Sequence, residues 1–267
     1  MHPFLSFAAG LSLGAVVAVR AARARRTGER VGAAALEALL NAIEANDPAT
    51  GAHVRRVATY ADIIAESIGL APDERRAVVR VALFHDIGKI HEALFDIVRD
   101  DDELTLEARR AIASHPVRGA RVLEPLRAFY PDLAGGVLAH HERWDGRGYP
   151  QRLRGRRIPL ASRIVALADT FDVVTHGRQY RPGRSTSAAV RVIAEGRALQ
   201  FDPELVDIML LPPVLDALRG ASHGPAVAPR PRRRRAERRH GELRPAPDVS
   251  FRWHPEARGR RVPAPGR

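Results

Sequence analysis

Between residues 31 and 219, apolar residues recur at spacings of three and four almost without interruption, and alternating β-branched runs are scarce. That period belongs to helices with one buried face, so the chain is expected to be all-α. The stretch "TGAHVRRVATYADIIAESIG" aligns Val54, Val57, Ala61, Ile64 and Ala65 on one side, with Gly69 as a natural stop. The following "APDERRAVVRVALFHD" places Pro72 in a first helical turn, where Asp73 and Glu74 suit the helix dipole, and its apolar end carries His85 and Asp86. Further helices are expected over about 103–113, 116–128, 131–143, 160–175, 186–196 and 203–218.

A length of 267 residues gives room for one core with extensions, and charge shows where the extensions lie. The net charge of +12 resolves into +4 over residues 20–30, −1 over 31–219 and +9 over 220–267. Residues 3–19, "PFLSFAAGLSLGAVVAV", are 17 positions without a charge, followed by "RAARARR". No basic residue precedes that run, so a short signal-anchor is expected rather than a cleaved signal peptide. The arginines after it place the rest of the chain in the cytoplasm under the positive-inside rule. The expected organisation is a membrane anchor with a basic flank over 1–30, a helical domain over 31–219 and a disordered Arg/Pro-rich tail over 220–267. The localisation that follows is a bacterial inner membrane crossed once, or a soluble cytoplasmic protein if the segment does not span. Contact of the tail with anionic lipid or RNA and a simple excess of arginine explain its composition equally well. No sequence-specific nucleic-acid partner is expected.

The chain contains no cysteine, which leaves His, Asp and Glu as metal ligands. Of its eleven histidines, His2, His223, His240 and His254 lie in the flanks and need no role. Five of the others stand at or near expected helix ends with carboxylates close by: His53, His85 beside Asp86, His115, and the adjacent His140 and His141. On a helix, adjacent residues point about 100° apart, so each doublet is suited to serve two ions a few ångströms apart. Asp169 interrupts an otherwise apolar helix face, where an unpaired charge would be costly, and joins the set; a structural salt bridge is the competing explanation.

The segments "GAH", "HDIGK", "SH", "HHERWDGRGYP" and "ALADTFD", in that order over about residues 36–218, resemble the HD-GYP subgroup of HD-domain phosphohydrolases. The resemblance implies a helical HD bundle that hydrolyses the bacterial messenger cyclic di-GMP to pGpG, GMP or both. It implies two divalent ions, iron or manganese, held by His53, His85, Asp86, His115, His140, His141 and Asp169, with Asp86 bridging. Members with a third ion carry a glutamate at the position that is Ala49 here, so two ions are expected. Asp86 and Lys89 are assigned to catalysis, and Lys89, Arg178, Arg181 and Tyr149 to substrate binding. Lys89 is the one lysine beside 42 arginines and follows His85 by one helical turn. The "WDGRGYPQRLRG" loop, rigid through Gly146, Gly148 and Pro150, positions guanine, docks a diguanylate cyclase domain, or holds the two histidines before it. A homodimer completes the expected partners.

After "HDIGKI" the family continues with Gly-Ile-Pro and a lysine-bearing loop, whereas this chain reads "HEALFDIVRDDDELT". Two other readings accompany the phosphodiesterase: a receptor that binds cyclic di-GMP without turnover, and an HD hydrolase acting on another nucleotide. The complete ligand set favours turnover. "DIGK" is not a phosphate-binding P-loop, because no glycine precedes it at the required spacing.

Overall fold

The computed structural model describes residues 4–89, 112–178 and 181–222, with residues 4–17, 19, 21–26, 178 and 181–182 described in the backbone only. Among the described residues the helices are α1 (Phe4–Asn46), α2 (Pro48–Ser67), α3 (Pro72–Phe84), α4 (His115–Leu123), α5 (Leu133–Leu138), α6 (Leu160–His176), α7 (Thr186–Glu195), α8 (Pro203–Met209) and α9 (Pro212–Ser222). The all-α expectation holds, apart from one antiparallel ladder of β1 (Gly177–Arg178) and β2 (Arg181–Pro182), in which Arg178 stands opposite Arg181. Residues 103–111 of the helix expected over 103–113 fall outside the described residues, as do residues 223–267 of the expected tail.

Helix α2 is the axis of the bundle, packed against α1, α3, α6 and α9. Val54, Val57, Ala61, Ile64 and Ala65 are all buried, as their spacing predicts. The last four meet Val78, Val81 and Phe84 of α3 and Ile164, Leu167 and Phe171 of α6 in one core. Burial of each large side chain of this kind contributes about 1.5–3 kcal/mol. Local signals fix the ends. Asp47 accepts the Ala49 N–H at 2.9 Å ahead of Pro48, Glu74 accepts the Ala71 N–H at 2.9 Å, and Gly69 takes φ +78° after α2.

Two expectations are corrected. The segment 203–218 is two helices, because Pro212 cannot continue a helix and the residue before a proline is pushed out of helical geometry. The expected helix over 131–143 ends at Leu138, and α3 ends at Phe84, so both histidine doublets sit on turns just beyond helices. Each helix stops where a side chain captures its carbonyl: His85 Nδ1 lies 2.7 Å from Ala82 O, and His140 Nδ1 lies 2.6 Å from Val137 O. Helix α1 runs unbroken through position 30, and among the described residues no helix is long and apolar enough to cross a membrane, so the expected anchor finds no support there.

Candidate metal centre

The predicted ligands arrive from five places. His53 comes from the first turns of α2, His85 and Asp86 from the turn after α3, His115 from the start of α4, His140 and His141 from the turn after α5, and Asp169 from the middle of α6. They gather into two groups whose ligand atoms lie within 4.8 Å of one another: His53, His85 and Asp169, and His115, His140 and His141. Asp86 stands between them. Its Oδ2 is 3.5 Å from His85 Nε2 and 3.9 Å from His53 Nε2, while its Oδ1 is 3.4 Å from His115 Nε2.

The turn that carries Asp86 reaches this position because residue 88 is glycine. A Cβ there would collide with the His115 carbonyl and lie 2.7 Å from Gly119 N, so the turn after α3 rests directly on the backbone of α4.

Ring orientation is set by what each Nδ1 donates to. His85, His115 and His140 give their Nδ1–H to the carbonyls of Ala82, Ile112 and Val137, each three residues earlier, at 2.7, 2.6 and 2.6 Å. His53 gives its own to Asp172 Oδ2 at 2.7 Å. All four rings therefore turn Nε2 toward the cluster, the arrangement of ligating histidines. Asp172 is the site residue that sequence reasoning missed. Its signal was its position three residues after Asp169, on the same face of α6.

Burial pushes the imidazoles of His115, His140 and His141 down to about 3, helped by the Lys89 charge at His115 and by neighbouring histidines at the other two, so all three are neutral near neutral pH. At His53 burial also works against the cation, but hydrogen bonds to Asp169 and Asp172 outweigh it and raise the ring to about 9. Burial would raise Asp86 and Asp169, yet Lys89 and His85 hold Asp86 well below the ordinary carboxylate range, and the His53 hydrogen bond does the same for Asp169. One group is built to bind positive charge through carboxylates, the other through neutral imidazoles.

The residues fit metal ions on the structure's own terms. His85 Nε2 is buried without a hydrogen-bond partner, a loss of about 1–3 kcal/mol if nothing meets it, and His53 Nε2 and Asp169 Oδ1 face each other at 3.3 Å beside it. The Nε2 atoms of His115 and His140 face each other at 3.1 Å as two lone pairs, which repel unless a cation lies between them. That spacing is what two imidazoles bound at about 2.0–2.1 Å and roughly a right angle would show.

Lys89 Nζ is 2.7 Å from both Asp86 oxygens, so its ammonium stands beside the carboxylate between the two groups. Tyr149 stacks on His141 with ring centroids 5.0 Å apart and planes 28° apart. The loop carrying Tyr149 is pinned from inside by Glu142, whose buried carboxylate accepts the N–H groups of Gln151 at 2.6 Å and Leu153 at 2.9 Å. Gly148 has no room for a side chain against the backbone of residues 141–143. Arg178 and Arg181 are brought opposite each other at the end of α6 through the backbone ladder. Glu142→Gln turns one acceptor into an amide donor facing a backbone N–H, so the unfolding free energy is expected to fall by about 1–3 kcal/mol in a denaturant titration.

Helices that deliver histidine and aspartate side chains to one buried centre define an HD-type domain. The chain belongs to the HD domain family, whose profile matches residues 37–205. The expectation drawn from the five sequence segments is thereby met. Among similar proteins, the cyclic di-GMP phosphodiesterase response regulator RpfG of Xanthomonas campestris is 36% identical over 177 residues, covering 66% of this chain and 46% of that protein. The 3′3′-cGAMP-specific phosphodiesterase 2 of Vibrio cholerae is 34% identical over 174 residues, covering 64% and 33%. The chain thus spans between a third and a half of the length of these relatives. A solved cyclic GMP-AMP specific phosphodiesterase of V. cholerae shares the fold at 24% identity and a TM-score of 0.50, over 71% of this chain and 52% of that one. The HD domain of the Listeria monocytogenes phosphodiesterase PgpH, solved with cyclic di-AMP, shares it at 20% identity and 0.50, over 70% and 95%.

Proposed function

We propose that this chain is a metal-dependent phosphodiesterase that hydrolyses cyclic di-GMP to pGpG, GMP or both in bacterial second-messenger signalling. The observation that carries the reading is the pair of ligand groups with Asp86 reaching both. When bound there, two divalent ions supply an activated water and neutralise phosphoryl oxygens for in-line displacement. Iron and manganese suit the mixed imidazole and carboxylate donors. The protein's own groups do the rest. His53, His85 and Asp169 would hold one ion and His115, His140 and His141 the other, with Asp86 within reach of both. Lys89 presents a compact charge to the scissile phosphate, Arg178 and Arg181 take the phosphates through their planar forks, and Tyr149 lines the base side. The loop around Tyr149 is also the proposed contact for a diguanylate cyclase domain, and the proposed localisation is the cytoplasmic side of the inner membrane.

The test is to load the purified full chain anaerobically with Fe²⁺ or Mn²⁺, add cyclic di-GMP, and follow pGpG and GMP. Product formation is expected. Binding without cleavage would make the protein a receptor instead. The relatives named for 3′3′-cGAMP favour a second substrate, so a parallel incubation with that dinucleotide decides between them. Lys89→Ala removes a charge-assisted contact worth about 1.5–3 kcal/mol, so KM is expected to rise about 10–100-fold while two ions remain bound. A variant depleted of metal would contradict that role for Lys89.

A further inference from the structure

We infer that Asp172 is a positioning residue that fixes His53 for its ion and ties that ligand to the base of the Arg178/Arg181 ribbon. The inference rests on the metal-dependent reading of the site. Asp172 is 1% exposed and makes four close contacts through two oxygens. Oδ2 is 2.7 Å from His53 Nδ1 and 2.9 Å from an Arg56 terminal nitrogen, while Oδ1 is 2.7 Å from Arg56 Nε and 3.1 Å from His176 Nδ1. A buried carboxylate held by both arms of a guanidinium cannot rotate without breaking a bidentate pair. Since Arg56 lies one turn after His53 on α2, the same helix supplies both the clamp and the ring that the clamp orients.

The contact with His176 extends the network toward substrate. His176 is the last residue of α6, and Gly177, where the ribbon begins, is the next. The return strand is seated on the same helical turn: Arg184 N–H donates to Val174 O at 2.8 Å, and Gly183 sits so close to the Thr175 carbonyl that a side chain there would collide with it. A single carboxylate therefore sets the angle of a metal ligand and the exit of the segment that carries two phosphate-directed arginines. Asp169, three residues earlier on α6, would ligate the ion directly, so α6 carries both a ligand and the support for another.

The test uses the full chain and two readouts besides turnover. In equilibrium dialysis with Mn²⁺, wild type is expected to bind two ions, and Asp172→Asn to bind the first as wild type does and the second about 10–100-fold more weakly, with Asp172→Glu recovering part of the loss. A second site of unchanged affinity in Asp172→Asn overturns the inference. If that variant fails to fold, the wild type still decides. With ¹⁵N-labelled histidine and Zn²⁺, His53 is expected to ligate through Nε2 and keep its proton on Nδ1; ligation through Nδ1 overturns the assignment. Absence of cyclic dinucleotide cleavage by the wild type would sink the phosphodiesterase reading alone, since neither metal readout depends on substrate.

Discussion

Asp86→Ala is expected to yield a folded protein that turns over cyclic dinucleotide at least about 10³-fold more slowly than wild type, beyond the loss of about 10²–10³ typical for one stabilising donor. The size follows from position. Asp86 is the only described carboxylate that approaches ligand nitrogens of both groups, at 3.4–3.9 Å, so its removal separates two half-sites rather than weakening one. The fold should survive, because Lys89, 23% exposed, can turn its ammonium to water once its partner is gone. The measurements are kcat, bound Mn²⁺ by elemental analysis, and far-ultraviolet circular dichroism. Full activity, or two ions bound with wild-type affinity, would overturn the site assignment.

Gly88→Ala is expected to be almost as damaging although it removes nothing chemical. The added methyl collides with the carbonyl of His115, and backbone cannot swing aside as a side chain end does. Overpacking of this kind costs about 1–3 kcal/mol when side chains can yield and more when they cannot. The turn after α3 and the start of α4 must then part, which moves Asp86 away from His115 and draws the two ligand groups out of register. A thermal melt should show a drop of several degrees, and dialysis should show loss of the second ion. A variant with wild-type melting temperature and two ions would show that the close contact is not needed.

The fold was legible where periodicity is strong. The face of α2 and the ends at Gly69 and Pro72 stand as their residues predict, because burial and backbone preference point the same way there. The break at Pro212 was equally present in the text "LLPP" and was overridden by the apolar spacing on either side. All seven predicted ligands come together, yet the geometry that joins them was not legible. The doublets were expected on helices and lie on turns, since a histidine Nδ1–H can end a helix by taking its carbonyl, an event no apolar pattern signals. Asp172 was hidden for another reason: its partners His53 and Arg56 are 119 and 116 positions away, and only the packing of α2 on α6 brings them together.

Of the four cluster histidines with a fixed Nδ1 partner, three lean on main-chain carbonyls and one leans on a side chain. The difference matters for how such a centre varies over evolutionary time. A carbonyl is present whatever residue occupies its position, so no single base change can erase the props behind His85, His115 and His140. The prop behind His53 is encoded by one codon. Drift can therefore alter affinity or ion preference at the His53 side while the other side keeps its geometry, which makes Asp172 the place where relatives of this chain would diverge in metal use first.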